Sequence, residues 1–111
     1  MDIEWLREYA LSKDDVTESF PFGEDTLVFK ANDKIFLLVA LAESPLRFNL
    51  KCDPEHALEL RESYPDQIQP GYHMNKKHWN TIIADGKLRS QLIKDLIDES
   101  FDLVHRKKKK K

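Results

Sequence analysis

The feature that most constrains this chain is a two-residue turn. Asn32-Asp33 stands between residues 26–30, rich in β-branched and aromatic side chains, and residues 34–42, a nearly continuous apolar run. Asn and Asp both tolerate positive φ, and two such residues between strand-like runs make a hairpin. The two runs therefore pair antiparallel, with the longer one at the sheet centre. Ser44-Pro45 turns the chain again. Arg47-Phe48-Asn49-Leu50-Lys51 then alternates: Phe48 and Leu50 face the core, while Arg47, Asn49 and Lys51 face the other side. A three-stranded antiparallel meander results.

Helical patterns flank it. Asp2 caps the first, in which Ile3, Leu6 and Ala10, with Trp5 and Tyr9, form one apolar stripe ending near Ser12. Residues 13–19 read as a polar connector. In Phe20-Pro21-Phe22-Gly23 the proline blocks a helix and the glycine permits a turn. Asp53-Pro54 starts a second helix, with the aspartate as cap and the proline in first position. Ala57, Leu60 and Tyr64 supply its stripe, and Pro65 stops it. Residues 67–74 and 77–84 read as two more strands around a turn at Asn75-Lys76. Asp85-Gly86 leads into a last helix, from Lys87, marked by Leu88, Leu92, Ile93, Leu96 and Ile97. Residues 100–104 add a final extended or helical piece. The order is α-β-β-β-α-β-β-α. It predicts a two-layer α+β domain over residues 1–105, with a mainly antiparallel sheet of about five strands and the helices on one face. The expected core includes Leu6, Phe29, Phe36, Leu38, Phe48, Leu60, Trp79, Leu92 and Leu96.

Composition bounds the function. A chain of 111 residues makes one domain. Its single cysteine, Cys52, excludes an intrachain disulfide and fits a reducing compartment. The start is acidic and amphipathic, unlike a signal peptide, and the longest apolar run is strand-length; a cytoplasmic location with no membrane partner is expected. The formal net charge of −2 hides an asymmetry, because residues 106–111 hold six of the eighteen basic residues and leave twelve against twenty acidic ones. Residues 106–111 read as a disordered basic tail. The remaining body is too acidic for a generally basic nucleic-acid binder, so any anionic partner must meet one face. Basic charge in the body gathers in residues 67–94, where Asp85 is the only acidic residue.

The chemically distinctive stretch is Pro70-Gly71-Tyr72-His73-Met74-Asn75-Lys76-Lys77-His78-Trp79. Lys76 and Lys77, flanked by His73, Asn75 and His78, would reach phosphates from a turn between two strands. The same residues also suit an ordinary solvated turn. Tyr72 and Trp79 have ring faces that stack on bases, but a tryptophan sealing the sheet against the last helix is the simpler reading. Arg47, Asn49 and Lys51 either extend a binding surface or form the wet side of an antiparallel sheet. A zinc site from His73, His78 and Cys52 lacks four closely spaced ligands, so no metal is expected. The sequence places no histidine beside Cys52, which reads as a buried, inert thiol. No G-x-S-x-G, Gly-rich phosphate loop or paired-carboxylate pattern occurs; no catalytic residue, cofactor or enzymatic activity is expected.

Four pieces of the chain together resemble the small bacterial MmcQ/YjbR family. They are Phe20-Pro21-Phe22-Gly23, Leu50-Lys51-Cys52-Asp53-Pro54, the 70–79 stretch, and Leu92-Ile93 through Ser100-Phe101-Asp102-Leu103-Val104. The 70–79 stretch is the most specific, and the resemblance runs from the first helix to Val104. It implies an α-β(3)-α-β(2)-α fold in two layers, similar to type III secretion chaperones and to CyaY-like domains. It also implies DNA binding through a double-wing arrangement of strands and loops. Lys76, Lys77, His73, His78, Asn75, Arg47 and Lys51 are then the candidate contacts, and the expected partner is DNA, held weakly and salt-dependently. The alternative is a protein-interaction or chaperone-like module without nucleic-acid binding, which suits the chaperone-like fold and the acidic body.

Overall fold

The computed structural model describes residues 2–105; the tail expected at 106–111 lies outside them. In chain order the elements are α1 (Ile3–Leu11), β1 (Val16–Ser19), β2 (Thr26–Ala31), β3 (Lys34–Ala40), β4 (Leu46–Lys51), α2 (Pro54–Ser63), β5 (Ile68–Pro70), β6 (Trp79–Ala84) and α3 (Ser90–His105). The strands form one sheet in the order β1-β2-β3-β4-β6-β5, antiparallel at every pairing. This is the two-layer α+β architecture the sequence predicts. No helix among the described residues is long and apolar enough to cross a membrane.

Local chemistry sets most boundaries. Asn32 and Asp33 take φ of 54° and 65° and close the β2–β3 hairpin. Asp2 Oδ1 accepts the Trp5 N–H at 3.0 Å, and Asp53 Oδ2 accepts the His56 N–H at 3.3 Å, capping α1 and α2. Gly86, at φ 90°, turns the chain after β6.

The sheet has six strands rather than five, because residues 16–19 of the expected connector form β1. Val16 is the only apolar residue in this strand, so local pattern carries no signal. Its strand geometry comes from pairing with the free edge of β2, and Glu18 is held by the Arg7 guanidinium through two hydrogen bonds of 2.7 and 2.5 Å. Leu88 precedes α3 instead of lying in it, and residues 100–104 are the last turns of that helix.

One face of the sheet carries the core. Phe29, Leu37, Val39, Phe48, Leu50 and Ile82 pack against Leu6 of α1, Leu60 of α2 and Ile93, Leu96 and Ile97 of α3. Leu92 is half-buried against this cluster. Trp79, expected in the core, is half-buried and stands apart from it. The register explains why. Trp79 lies opposite Lys51 and therefore shares the far face of the sheet, while its neighbour Asn80 takes the core side. Leu38 also alternates onto the far face and is buried there at 7% exposure.

A buried serine joins the two layers. Phe29 pairs with Leu37 but Lys30 with Ile35, which leaves Phe36 as the extra residue of a β-bulge. Ser100 Oγ of α3 donates to the Phe36 carbonyl at 2.6 Å and accepts the Lys51 N–H at 2.9 Å. At α1 and α3 a second tie is half-buried: Tyr9 Oη and Lys13 Nζ reach Asp98 at 2.6 and 2.5 Å. Burial alone would raise the Asp98 carboxyl, but these two donors outweigh it and hold the group below its ordinary value. Ser100→Ala should strand one carbonyl and one N–H inside the core. The expected loss is about 2–4 kcal/mol in urea unfolding, with an unchanged m value. A loss below about 0.5 kcal/mol would show that the bridge is dispensable.

Candidate nucleic-acid interface

β5 and β6 are joined by an eight-residue loop, 71–78, and not by a two-residue turn at Asn75-Lys76. The loop begins early because the chain leaves the ladder after Pro70. Gly71 N–H still donates to the Trp79 carbonyl at 2.9 Å, but Tyr72 N–H turns to the Thr81 side-chain oxygen at 3.0 Å. Asn75 organises the interior. Its Oδ1 accepts the Lys77 N–H at 2.9 Å, and its carbonyl accepts the N–H groups of His78 and Trp79 at 3.1 and 3.0 Å. A Cβ on Gly71 would lie 2.8 Å from the Trp79 Cβ and 3.0 Å from its carbonyl oxygen, so only glycine fits there.

The residue that fastens this loop to the domain is Arg61 of α2. Its Nε donates to Asn80 Oδ1 at 2.7 Å. Its Nη2 donates to the carbonyls of Lys76 and, at 3.4 Å, Trp79. A planar guanidinium with a fixed fork of donors can serve all three acceptors at once.

Beyond the loop lies the sheet face that the core does not use. β4 places Arg47, Asn49 and Lys51 on it, as the alternation predicts. Their ladder partners on β6 are Ile83, Thr81 and Trp79. Lys30 of β2 alternates onto the same face beside Val28. The one acidic strand residue, Glu18, sits on the opposite face with Arg7. The strands therefore bring three cations and no carboxylate to this surface. A groove crosses it, lined by Ala40, Glu43, Arg47, Asn49, Tyr72 and Thr81. Thr81 Oγ1 donates to Asn49 Oδ1 at 2.5 Å on the groove floor. Tyr72 stands at its wall, 70% exposed, with the His73 ring 4.0 Å away.

A family model described as YjbR matches residues 11–103. The chain belongs to the YjbR family. Among its relatives, YbdF of Escherichia coli O157:H7 is 40% identical over 101 residues, covering 91% of this chain and 82% of the relative. YjbR of Escherichia coli K12 is 33% identical over 101 residues, covering 91% of this chain and 85% of the relative. The crystal structure of a Deinococcus radiodurans protein with a DUF419 domain superposes with a TM-score of 0.91 at 39% identity, covering 98% of this chain and 82% of that one. A Pseudomonas syringae crystal structure gives a TM-score of 0.76 at 30% identity, covering 94% and 99% of the two chains.

In this YjbR-family member the expected contact residues divide into two sets. Arg47, Asn49 and Tyr72 share the open-face groove, and Lys51 lies on the same face opposite Trp79. Lys76 and Lys77 instead border a different hollow, against Pro54, Glu55, Leu58 and Arg61 on the α2 side. Lys76 Nζ also folds back to the Gly71 carbonyl at 3.1 Å. His78 is half-buried, and its carbonyl accepts the Cys52 N–H at 2.7 Å. Asn75 is exposed, but its side-chain oxygen serves the loop. Lys30, Arg61 and Thr81 were absent from the expected site. Lys30 and Thr81 carry a period-two signal; Arg61 carries none, since its role exists only after α2 meets the loop.

Cys52 is buried as expected, but it has a histidine beside it. His56 Nδ1 is 3.6 Å from its sulfur and Glu99 Oε2 is 3.5 Å away. Burial and the Glu99 carboxylate push the thiol up to about 12. Arg61→Met keeps the length of the side chain and removes its donors. Hydrogen exchange at the Gly71 and Trp79 amides should speed by about tenfold or more relative to amides of the β2–β3 hairpin. Equal protection of both sets in the variant would remove Arg61 from its anchoring role.

Proposed function

We propose that this protein binds DNA, without catalysing a reaction, across the open face of its sheet. The observation that supports the reading is the charge of that face: Lys30, Arg47 and Lys51 come from two strands, β2 and β4, with no strand carboxylate among them. In a body with twelve basic and twenty acidic residues, these strand cations gather positive charge on one face, with Glu43 the carboxylate in the groove lining. Arg47 and Lys51 neutralise phosphates. Tyr72, anchored through its own N–H to Thr81, offers a ring face at the groove wall for a base. Lys76 and Lys77 border a separate hollow on the α2 side and contribute charge at the rim. Family resemblance and the charge of this face both support the proposal.

A second reading rests on a separate feature. Phe20 and Phe22 are 51% and 65% exposed on the loop between β1 and β2, an apolar pair suited to a protein partner. It takes the place of the first if DNA binding fails its test.

Binding of the full chain to single-stranded and duplex DNA should be measured across a salt series. Each phosphate contact contributes about −0.9 to the log–log slope, so Arg47→Ala with Lys51→Ala should flatten it by about 2. Lys76→Ala with Lys77→Ala should flatten it less. Tyr72→Ala should weaken single-stranded binding by about 1–3 kcal/mol. An unchanged slope in the Arg47/Lys51 variant would assign all affinity to charge elsewhere, residues 107–111 included, and defeat the proposal.

A further inference from the structure

We propose that Cys52, His56 and Glu99 form a binding site for one zinc-type divalent metal ion, with a water in its fourth position beside Asn80. The three ligating atoms lie within 4.8 Å of one another. Cys52 ends the segment after β4, His56 stands in the first turn of α2, and Glu99 comes from α3. The Cys52–His56 spacing, with three residues between, falls in the range that short metal-binding segments use.

The distances fit coordination. Sulfur is 3.6 Å from His56 Nδ1 and 3.5 Å from Glu99 Oε2, and His56 Nδ1 is 2.7 Å from Glu99 Oε1. Metal–sulfur bonds near 2.3 Å and metal–nitrogen or –oxygen bonds near 2.0–2.1 Å, at tetrahedral angles, place sulfur about 3.5 Å from both other ligands. The same geometry places nitrogen about 3.4 Å from oxygen. The sulfur meets Glu99 Oε2 and the imidazole meets Oε1, so binding through one carboxylate oxygen requires the Glu99 carboxylate to turn as its hydrogen bond to His56 opens.

Two further observations point to a ligand. A cavity of about 10 Å³, enough for one water, is lined by Cys52, Glu99 and Asn80 together. Asn80 is 1% exposed, and its Nδ2 is a buried donor with no hydrogen-bond partner among the described residues. Its Oδ1 is already taken by Arg61. A metal-bound water in the cavity would accept from Nδ2 and satisfy it. The supports around the ligands are built as well: Asp53 N–H donates to Glu99 Oε2 at 3.1 Å, and Ser100, next to Glu99, is pinned between β3 and β4. His56 and Glu99 side chains keep 41% and 26% exposure, which leaves the ion a path in.

The full chain, reduced and freed of metal, should be titrated with cobalt(II) at neutral pH and followed by absorption. We expect a thiolate-to-cobalt charge-transfer band and tetrahedral ligand-field bands that saturate at one equivalent and vanish on adding zinc. Cys52→Ser should abolish the charge-transfer band. Glu99→Gln, nearly isosteric, should weaken cobalt binding at least tenfold while its far-ultraviolet circular dichroism stays that of the parent. His73→Ala with His78→Ala should bind as the parent does. Zinc should raise the melting temperature of the parent more than that of Glu99→Gln. Absence of a charge-transfer band at stoichiometric cobalt, or undiminished binding by Glu99→Gln, would overturn the assignment.

Discussion

The fork of Arg61 decides what the distinctive stretch of this chain becomes. The β5–β6 ladder stops at the start of this stretch: Pro70 has no N–H, and Gly71 gives the last backbone bond to β6. Residues 72–78 are then a loop, tied to the domain by the Tyr72 N–H on Thr81 and by the Cys52 N–H on the His78 carbonyl. Arg61 adds a charged anchor from α2, donating to the carbonyls of Lys76 and Trp79 and to the Asn80 side chain. Hydrogen bonds from a charged donor are worth about 1.5–3 kcal/mol each, more than the neutral bonds inside the loop. Once Lys76 and Trp79 are fixed, Gly71 must pass under Trp79, and Tyr72 is delivered to the open face. The position of the exposed aromatic thus depends on a helix in the other layer.

A second joint sets the opposite side. The bulge at Phe36 turns one carbonyl toward α3, and Ser100 takes it while accepting from Lys51. The helix is therefore pinned at one residue to β3 and β4 together. Phe101, the next residue, packs its ring edge-on to Phe36 with centroids 5.6 Å apart, so apolar contact and hydrogen bond agree on one rotation of α3. That rotation is what presents Glu99 to Cys52.

Elements with a local cause were legible in the sequence. The Asn32-Asp33 hairpin, the Asp2 and Asp53 caps, the Gly86 turn and the alternation of Phe48 and Leu50 each arise from residues within four positions of one another. The apolar stripe of α3 was legible too, although Leu88 falls outside the helix. What failed needed the third dimension. β1 has one apolar residue and becomes a strand only because β2 offers an edge. Trp79 looked like core because large aromatics usually are, yet one step of register puts Asn80 inside and Trp79 beside Lys51. The placement of the expected contact residues divides for the same reason. Arg47, Asn49 and Lys51 share a face by period two, whereas the direction of Lys76 and Lys77 depends on Arg61. His56 stands four positions from Cys52, one helical turn away. Glu99 was hidden more deeply, since it lies 47 residues away and meets the thiol through the packing of α3 on the sheet.

The period-two geometry of β4 also keeps the two proposed sites apart. Arg47, Asn49 and Lys51 project to the open face, while Phe48 and Leu50 project to the core and lead into Cys52 on that side. A change of side chain at Arg47 or Lys51 removes charge from one face and leaves the sulfur where it was. A change at Cys52 or Glu99 leaves every open-face cation in place. Lys51 is the one residue that touches both, and it does so through different atoms: its side chain serves the open face, and its backbone N–H is held by Ser100. Replacing the side chain keeps that N–H, so the two functions separate at the level of single substitutions. Two joints are common to them: Ser100, which holds the strand and the helix in register, and Arg61, which bonds both Asn80 and the loop that carries Tyr72.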